Sequence, residues 1–298
     1  MMHVIVNRHA GDGADSDSRI AQLRRAVDSA GLVADVVTPK ARESLSDCAE
    51  RLLDQGAETL VAAGGDGTIA ALAGPCHAAG ARLGVIPMGT FNYFARAHGI
   101  PQNPDHAAEN LARGPEQAVA LGMVNGRVFL NNVSIGLYPS ILRAREDVYD
   151  RFGRSRPAAY WSVLKTLARR PGSLRLAVEL DGAEHRLRTP LAFVAASAYQ
   201  LEEFDLAGVE APREGSFAML VAPRVRRRAL LRTAWRLAWG KAAKGPDYDL
   251  YTADEITIQP EKPDVLVACD GEKMQMDTPL VIKRHATPLR LIAPKADS

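Results

Sequence analysis

The chain has 298 residues, a formal charge of +2, 47% hydrophobic residues and 24% charged ones. That length accommodates two domains with sizeable cores, and so small a charge argues against nucleic acid as the main partner. Cys48, Cys76 and Cys269 are scattered and show no C-x-x-C spacing, which disfavours a disulfide framework or zinc site and favours a reducing cytoplasm.

Elements follow in alternation. Val4 to Val6 reads as a strand, Ser18 to Ala30 as a helix, Val33 to Val37 as a strand and Leu45 to Gln55 as a helix. Next come an apolar run ending at Gly64, a helical pattern from Ile69, and a strand over Leu83 to Ile86. Strands separated by helices predict right-handed crossovers and a parallel sheet, hence an α/β domain over residues 1–122. Ligands of such sheets gather at the carboxyl ends of strands. Asn7, Thr38, Gly64 to Thr68 and Pro87 to Thr90 all fall at such ends.

From residue 123 the texture changes. Val128 to Ile135, Leu174 to Leu180, Leu187 to Ala195, Ser216 to Val221, Glu255 to Ile258, Val265 to Ala268 and Pro279 to Ile282 read as strands between Gly, Pro and Asp turns. Few helices intervene, so residues 123–298 are expected to form a β-sandwich-like second domain. The last strand, Leu289 to Ala293, fits either domain. No run approaches the ~18 apolar residues of a membrane span, and His3 to Val6 is too short for a secretory signal. A meeting with a membrane is therefore expected at its inner surface. Residues 224 to 244 suit that role: Arg228, Arg232 and Arg236 recur beside Leu231, Trp235 and Trp239, a basic amphipathic pattern that rests on anionic lipid or packs on the sandwich with its arginines in water.

The most informative stretch is Gly64-Gly65-Asp66-Gly67-Thr68 at a strand-to-helix turn. Missing Cβ atoms let a ligand approach the backbone, and the helix start offers free N–H groups to phosphate. Asp66 would repel a bare phosphate, so it makes sense with a divalent cation or polarised hydroxyl between them. The combination points to phosphoryl transfer.

Three more segments narrow the reading. Pro87-Met88-Gly89-Thr90-Phe91-Asn92-Tyr93-Phe94-Ala95-Arg96 resembles the P-x-G-T-x-N-x-x-A-R segment of the diacylglycerol kinase catalytic family. Asn131 to Gly136 resembles its N-x-x-S-x-G segment, and Asp270-Gly271-Glu272 its late D-G-E. Asn7, with Gly11 and Gly13 after it, is similar to the opening N-P-x-x-G, with Arg8 in place of proline. The resemblance implies an ATP- and Mg²⁺-dependent kinase acting on a lipid hydroxyl, with an α/β nucleotide domain, a β-sandwich domain and the active site in the cleft between them. By motif, Gly64, Gly65, Gly67 and Thr68 would cradle ATP phosphates, with Ile69 and Ala70 at the helix start. Asn7, Thr38, Gly89, Thr90 and Asn92 would complete the nucleotide site, and Asp66 would organise Mg²⁺. Asp270 or Glu272 would take the acceptor's proton.

The chain departs from that pattern in places. Ala70-Ala71 stands where the family has Asn-Glu, and Tyr93 where it has Asp after Asn92. Ala120 replaces an aspartate, and Leu137-Tyr138-Pro139 a small, acidic-containing sequence. Arg213-Glu214-Gly215 replaces an acidic turn that holds a structural Mg²⁺ in some bacterial members, and Arg213 disfavours a cation there. Two other readings stand beside the lipid kinase: an NAD kinase-like enzyme with a soluble substrate, since NAD kinases share a similar glycine loop, and a nucleotide-binding module with little activity. Sheet edges in the second domain leave a homodimer open.

Overall fold

The computed structural model describes residues 1–7, 16–136, 173–222 and 248–295. The readings for Arg8, Gly11, Gly13, Leu137 to Pro139 and the basic stretch 224–244 lie outside these residues. The chain divides into two units, the first comprising Met1–Gly122, Gly126–Leu130 and His285–Ser298, the second Met123–Asn125 and Asn131–Arg284.

The first unit runs β1 (Met2–Val6), α1 (Ser16–Ser29), β2 (Ala34–Val37), α2 (Leu45–Asp54), β3 (Thr59–Gly64), α3 (Asp66–Ala78), β4 (Arg82–Pro87), α4 (Tyr93–Ala97), α5 (Pro104–Arg113) and β5 (Glu116–Val119). The chain re-enters it with β7 (Arg127–Phe129) and ends in β18 (Leu289–Ile292). Its sheet has the order β2-β1-β3-β4-β18-β5, in which β1 to β4 pair in parallel. The last strand thus lies in this sheet, parallel to β4 and antiparallel to β5.

Alternation along the strands sends neighbouring side chains to opposite faces. Ile5, Leu60, Ala62, Leu83 and Val85 pack with Leu52, Ile69 and Leu72 from α2 and α3. Val4, Val6, Val61, Ala63 and Ile86 pack with Leu23, Val27, Ala107 and Leu111 from α1 and α5. Both faces are covered, so β3 is buried throughout and reads as a continuous apolar run rather than an alternating one. Ser44 opens α2 with a reciprocal capping box to Asp47, and Asn103 caps α5, where Pro104 occupies the first turn. Among the described residues, no helix is long and apolar enough to cross a membrane.

The second unit is β-sandwich-like, with two short helices among the described residues. It contains β6 (Gly122–Val124), β8 (Asn132–Gly136), β9 (Leu174–Leu180), β10 (Ala183–Thr189), β11 (Leu191–Ala195), α6 (Ala198–Glu203), α7 (Glu210–Arg213), β12 (Phe217–Val221), β13 (Asp249–Ala253), β14 (Glu255–Pro260), β15 (Asp264–Cys269), β16 (Glu272–Asp277) and β17 (Leu280–Arg284). One sheet has the order β13-β12-β11-β8-β15-β16, and another contains β10-β9-β14-β17-β6. Buried Leu176 and Val178 alternate with exposed residues along β9, as expected of a strand with one face in a core.

Two expected strands are each divided. Val128 to Ile135 resolves into β7 and β8, because the Asn131 and Asn132 amides turn to the Asp270 carboxylate at 2.7 and 3.1 Å. Leu187 to Ala195 resolves into β10 and β11 at Pro190, which has no N–H for a ladder. The buried Thr189 hydroxyl organises that corner, accepting from the Leu191 amide at 3.0 Å and lying 2.7 Å from Ala222 O. Edge strands β5, β13 and β16 escape the sequence reading because they contain no apolar run: exposed Glu116, Asp249, Thr252, Glu272, Gln275 and Asp277 interrupt them.

Helix α4 carries a pH-sensitive contact. His98, just beyond it, lies against the Phe94 ring at 4.6 Å, and burial pushes its imidazole down to about 4. An unfolded chain takes up that proton near 6.5, so the neutral ring adds stability above that pH and loses it as pH falls from about 6.5 towards 4. His98→Gln is expected to lose less stability than the parent between pH 7.5 and 4.5, measured by urea unfolding at each pH.

Candidate active site

Asn7 follows β1, Thr38 follows β2, Gly64 ends β3, and Gly89 and Thr90 follow β4. Since these strands are parallel neighbours, the first unit brings all of these residues to one edge of its sheet. The pairing of β3 with β4 runs on past Gly64 and Pro87 through a bond from Met88 N to Gly64 O at 2.9 Å.

There two loops come into backbone contact. A Cβ on Gly89 would lie 2.5 Å from Gly65 Cα and 2.7 Å from Asn92 Oδ1, and one on Gly64 would lie 2.3 Å from Thr68 Oγ1. Only glycine allows that approach. Gly67 differs: it is exposed, and a side chain there would meet nothing of the protein within 4 Å. Gly65 is the N-cap of α3 and supplies no capping side chain, while its carbonyl accepts from the Thr68 and Ile69 amides at 2.9 and 3.1 Å. The first turn therefore presents a helix start without a side-chain cap.

Asp66 is half-buried, and its Oδ1 accepts from the Phe94 amide at 2.9 Å. Its Oδ2 has no hydrogen bond among the described residues. No group of three His, Cys, Asp or Glu side chains able to hold a metal occurs among those residues. A lone carboxylate oxygen suits Mg²⁺, which commonly takes one or two carboxylates together with substrate phosphates and water.

Several candidate residues act through packing. Ile69 is fully buried in the core and Thr68 is 3% exposed, so the Ile69 side chain cannot meet a nucleotide and this residue faces the site only through its backbone. Ala70 packs partly against the same core. Asn92 is buried in the left-handed conformation at φ 53°, and its side chain bonds the backbone of its own turn and Gln102. Its Oδ1 accepts from Gly89 N at 3.0 Å, and its Nδ2 donates to Gly89 O and Gln102 Oε1, each at 3.1 Å. Asn92 fixes the turn that carries Thr90. Gln102, and Arg19, which donates to Met88 O at 2.9 Å, support that turn without any local sequence signal. Cys76 in α3 has no part in nucleophilic chemistry, because burial pushes its thiol up to about 12.

The second unit supplies the D-G-E segment. Asp270 and Gly271 have φ of 46° and 85° and form the two-residue loop joining β15 to β16, with Cys269 opposite Glu272. Both central residues left-handed is the hairpin geometry that Asp-Gly favours. Asp270 Oδ1 takes the Asn131 and Asn132 amides, and Asp270 N donates to Asn132 O at 3.0 Å. Glu272 is exposed, and Asp270 is half-buried. On β8, Asn132 Nδ2 donates to Gln200 Oε1 at 2.8 Å, while the buried oxygens Asn132 Oδ1, Ser134 Oγ and, just before the strand, Asn131 Oδ1 have no hydrogen-bond partner among the described residues. At the turn after α7, Arg213 pairs with Glu202 and with Glu210, and Gly215 O accepts from Arg284 Nε at 2.9 Å. Guanidinium groups engage those acidic side chains and that carbonyl, so this turn does not fit a structural Mg²⁺.

The chain belongs to the family defined by a diacylglycerol kinase catalytic domain followed by a YegS C-terminal domain, the second of which covers over half of it. The family model for the diacylglycerol kinase catalytic domain matches residues 1–124. That for the YegS C-terminal NAD kinase beta sandwich-like domain matches residues 136–293. The chain is 46% identical over 90 residues to a Pseudomonas aeruginosa protein named "Probable lipid kinase YegS-like", a match covering 29% of each. It is 38% identical over 96 residues to a diacylglycerol kinase of Staphylococcus aureus, covering 30% of each. The matched stretch thus spans under a third of these curated relatives. The crystal structure of a diacylglycerol kinase from Bacillus anthracis shares the fold, with a TM-score of 0.68 at 21% identity over 99% of this chain and 97% of that one.

The glycines separate packing from ligand access. Gly89→Ala is expected to destabilise the protein by roughly 1–3 kcal/mol through backbone overlap, and Gly67→Ala to stay within about 0.5 kcal/mol. Urea unfolding at pH 7.5 checks both.

Proposed function

We propose that the protein is an ATP-dependent lipid kinase, working in the cytoplasm at the membrane's inner face and transferring the γ-phosphoryl group to a lipid hydroxyl. The observation that carries this reading is Asp66, pinned by one oxygen to the Phe94 amide, at an uncapped helix start within a glycine turn. Gly67 has no packing reason to be glycine, and close approach of a ligand supplies one.

In this reading the backbone of Gly65 to Gly67 grips the phosphates, Thr68, whose amide is bonded to Gly65 O, stands beside them at the helix start, and Thr38, Thr90 and Asn7 line the nucleotide. Asp66 Oδ2 would hold Mg²⁺, which supplies charge neutralisation when bound. Phosphoryl transfer needs in-line positioning and such neutralisation more than covalent help from the protein. Asp270 is the proposed general base. Two amides hold one of its oxygens and so orient the carboxylate to accept the lipid's hydroxyl proton as the hydroxyl oxygen attacks the γ-phosphorus and the bond to the leaving ADP breaks. Glu272, exposed on its strand, is the second candidate. The buried oxygens of Asn131, Asn132 and Ser134 suit an alcohol that donates hydrogen bonds.

The test is purified protein with labelled ATP, Mg²⁺ and a panel of diacylglycerol, sphingoid, glycolipid and NAD acceptors. Label is expected in a lipid and not in NAD; label in NAD alone would make the NAD kinase-like reading correct, and tight ATP binding with no transfer would favour the binding module. Asp66→Asn keeps the oxygen that meets Phe94 N–H, so it is expected to lower turnover about 100-fold or more while stability changes by under about 1 kcal/mol. Asp270→Asn is expected to lower kcat far more than Glu272→Gln does, and the opposite ranking would transfer the base to Glu272.

A further inference from the structure

The turn that carries Thr90 also displays an aromatic pair. Phe91 and Tyr93 stack with centroids 5.4 Å apart and planes within 3° of parallel. Phe91 is 54% exposed, one of few large apolar side chains so placed among the described residues. A solitary exposed apolar residue needs no explanation, but this one is held in place. Arg96 Nε donates to Phe91 O at 3.0 Å, and the buried Asn92 side chain locks the turn beneath it. Tyr93 replaces the aspartate that follows Asn92 in the family segment, so this chain carries an apolar plate at a position expected to be acidic.

The location identifies what the plate meets. Phe94 N–H bonds Asp66 Oδ1, so the ring pair begins one residue from the contact with the carboxylate where the reacting groups gather. In the lipid kinase reading the phosphates gather at that point and the base would lie at the far end of the triphosphate. The other group that must come to Asp66 is the acceptor, whose hydrocarbon is the part that gains from leaving water against a ring.

We infer that the stacked Phe91–Tyr93 pair is a specificity surface against which an acyl chain of the lipid acceptor lies during transfer. This rests on the lipid kinase reading and adds a chain-length dependence to it. Phe91 is the residue that sets that dependence, since its ring is the more exposed face of the stack. Leucine at the same position keeps apolar area and preserves most of the effect, whereas alanine removes it.

The test uses the full-length protein with MgATP and diacylglycerols of 4, 8, 12 and 16 carbons per chain in mixed micelles. Phe91→Ala is expected to raise KM for the 12- and 16-carbon acceptors about tenfold, which is about 1.4 kcal/mol, and to leave KM for ATP and the 4-carbon rate as in the parent. Phe91→Leu is expected to restore most of the long-chain preference. An equal loss at every chain length, or a raised KM for ATP, overturns the inference. So does a parallel loss of binding to acceptor-free phosphatidylcholine vesicles, which would make Phe91 a bilayer contact instead. Should the parent transfer phosphate to no diacylglycerol, the kinase assignment for that acceptor fails separately. Equilibrium binding of a fluorescent acyl-labelled diacylglycerol then decides the point: Phe91→Ala must weaken it, Phe91→Leu must not, and unchanged binding in both overturns the inference.

Discussion

The candidate site depends on two stretches of main chain coming closer than side chains allow. Gly65 and Gly89 lie at the ends of neighbouring parallel strands, and a Cβ on Gly89 would sit 2.5 Å from Gly65 Cα. This contact determines the rest of the edge. It lets Met88 N reach Gly64 O, carrying strand pairing one step past the sheet. It places the Asn92 turn where α4 begins beside α3, and so brings Phe94 N–H to Asp66. A carboxylate on an exposed turn would otherwise sample several rotamers. Here one oxygen is tied to the backbone, which removes part of the entropy that binding would have to overcome.

The second unit uses the same device in different form. Asp270 closes a hairpin, and its carboxylate also interrupts the approach to β8 by capturing the Asn131 and Asn132 amides. A structural and a catalytic reading of D-G-E are therefore compatible. The left-handed turn favours Asp-Gly at these positions, and the same geometry fixes the acid's direction. Preorganisation of this kind lets a carboxylate act without reorienting during the reaction.

Most of the first unit was legible because periodicity is strong where both faces of a strand are buried. The runs into Gly64 and Ile86 have no polar interruption, whereas α4 and α5 went unread, although Asn103 and Pro104 mark the start of α5 by short-range chemistry. The parallel order then followed from alternation, and the strand-end placement of Asn7, Thr38, Gly64 and Thr90 from the order. Legibility failed where a distant partner decides the local conformation. The break at Asn131 comes from a residue 139 positions away, and Gln102 and Arg19 support the Asn92 turn through contacts that no local pattern announces. A motif marks Asn92 without saying whether it touches ligand or backbone, and the structure gives its bonds to Gly89 and Gln102. The strands β13 and β16 were missed because polar edge positions resemble loops when read singly.

The departures at Ala70, Ala71 and Tyr93 are easier to reconcile with the geometry than with the motif. Each removes a side chain able to meet a polar ligand, yet none alters the turn from Gly64 to Thr68, whose proposed ligand groups are main-chain N–H. Substitution of neighbouring side chains cannot delete a backbone donor; only a change in the path of the chain can, and that path is fixed by glycine contacts the chain retains. Ala70 and Ala71 pack against the core beneath α3, so apolar residues there secure the helix whose start faces the ligand. A site built from backbone tolerates turnover of its polar neighbours, and this allows the loop to change which groups surround Asp66 while the Gly65–Gly89 contact keeps its path.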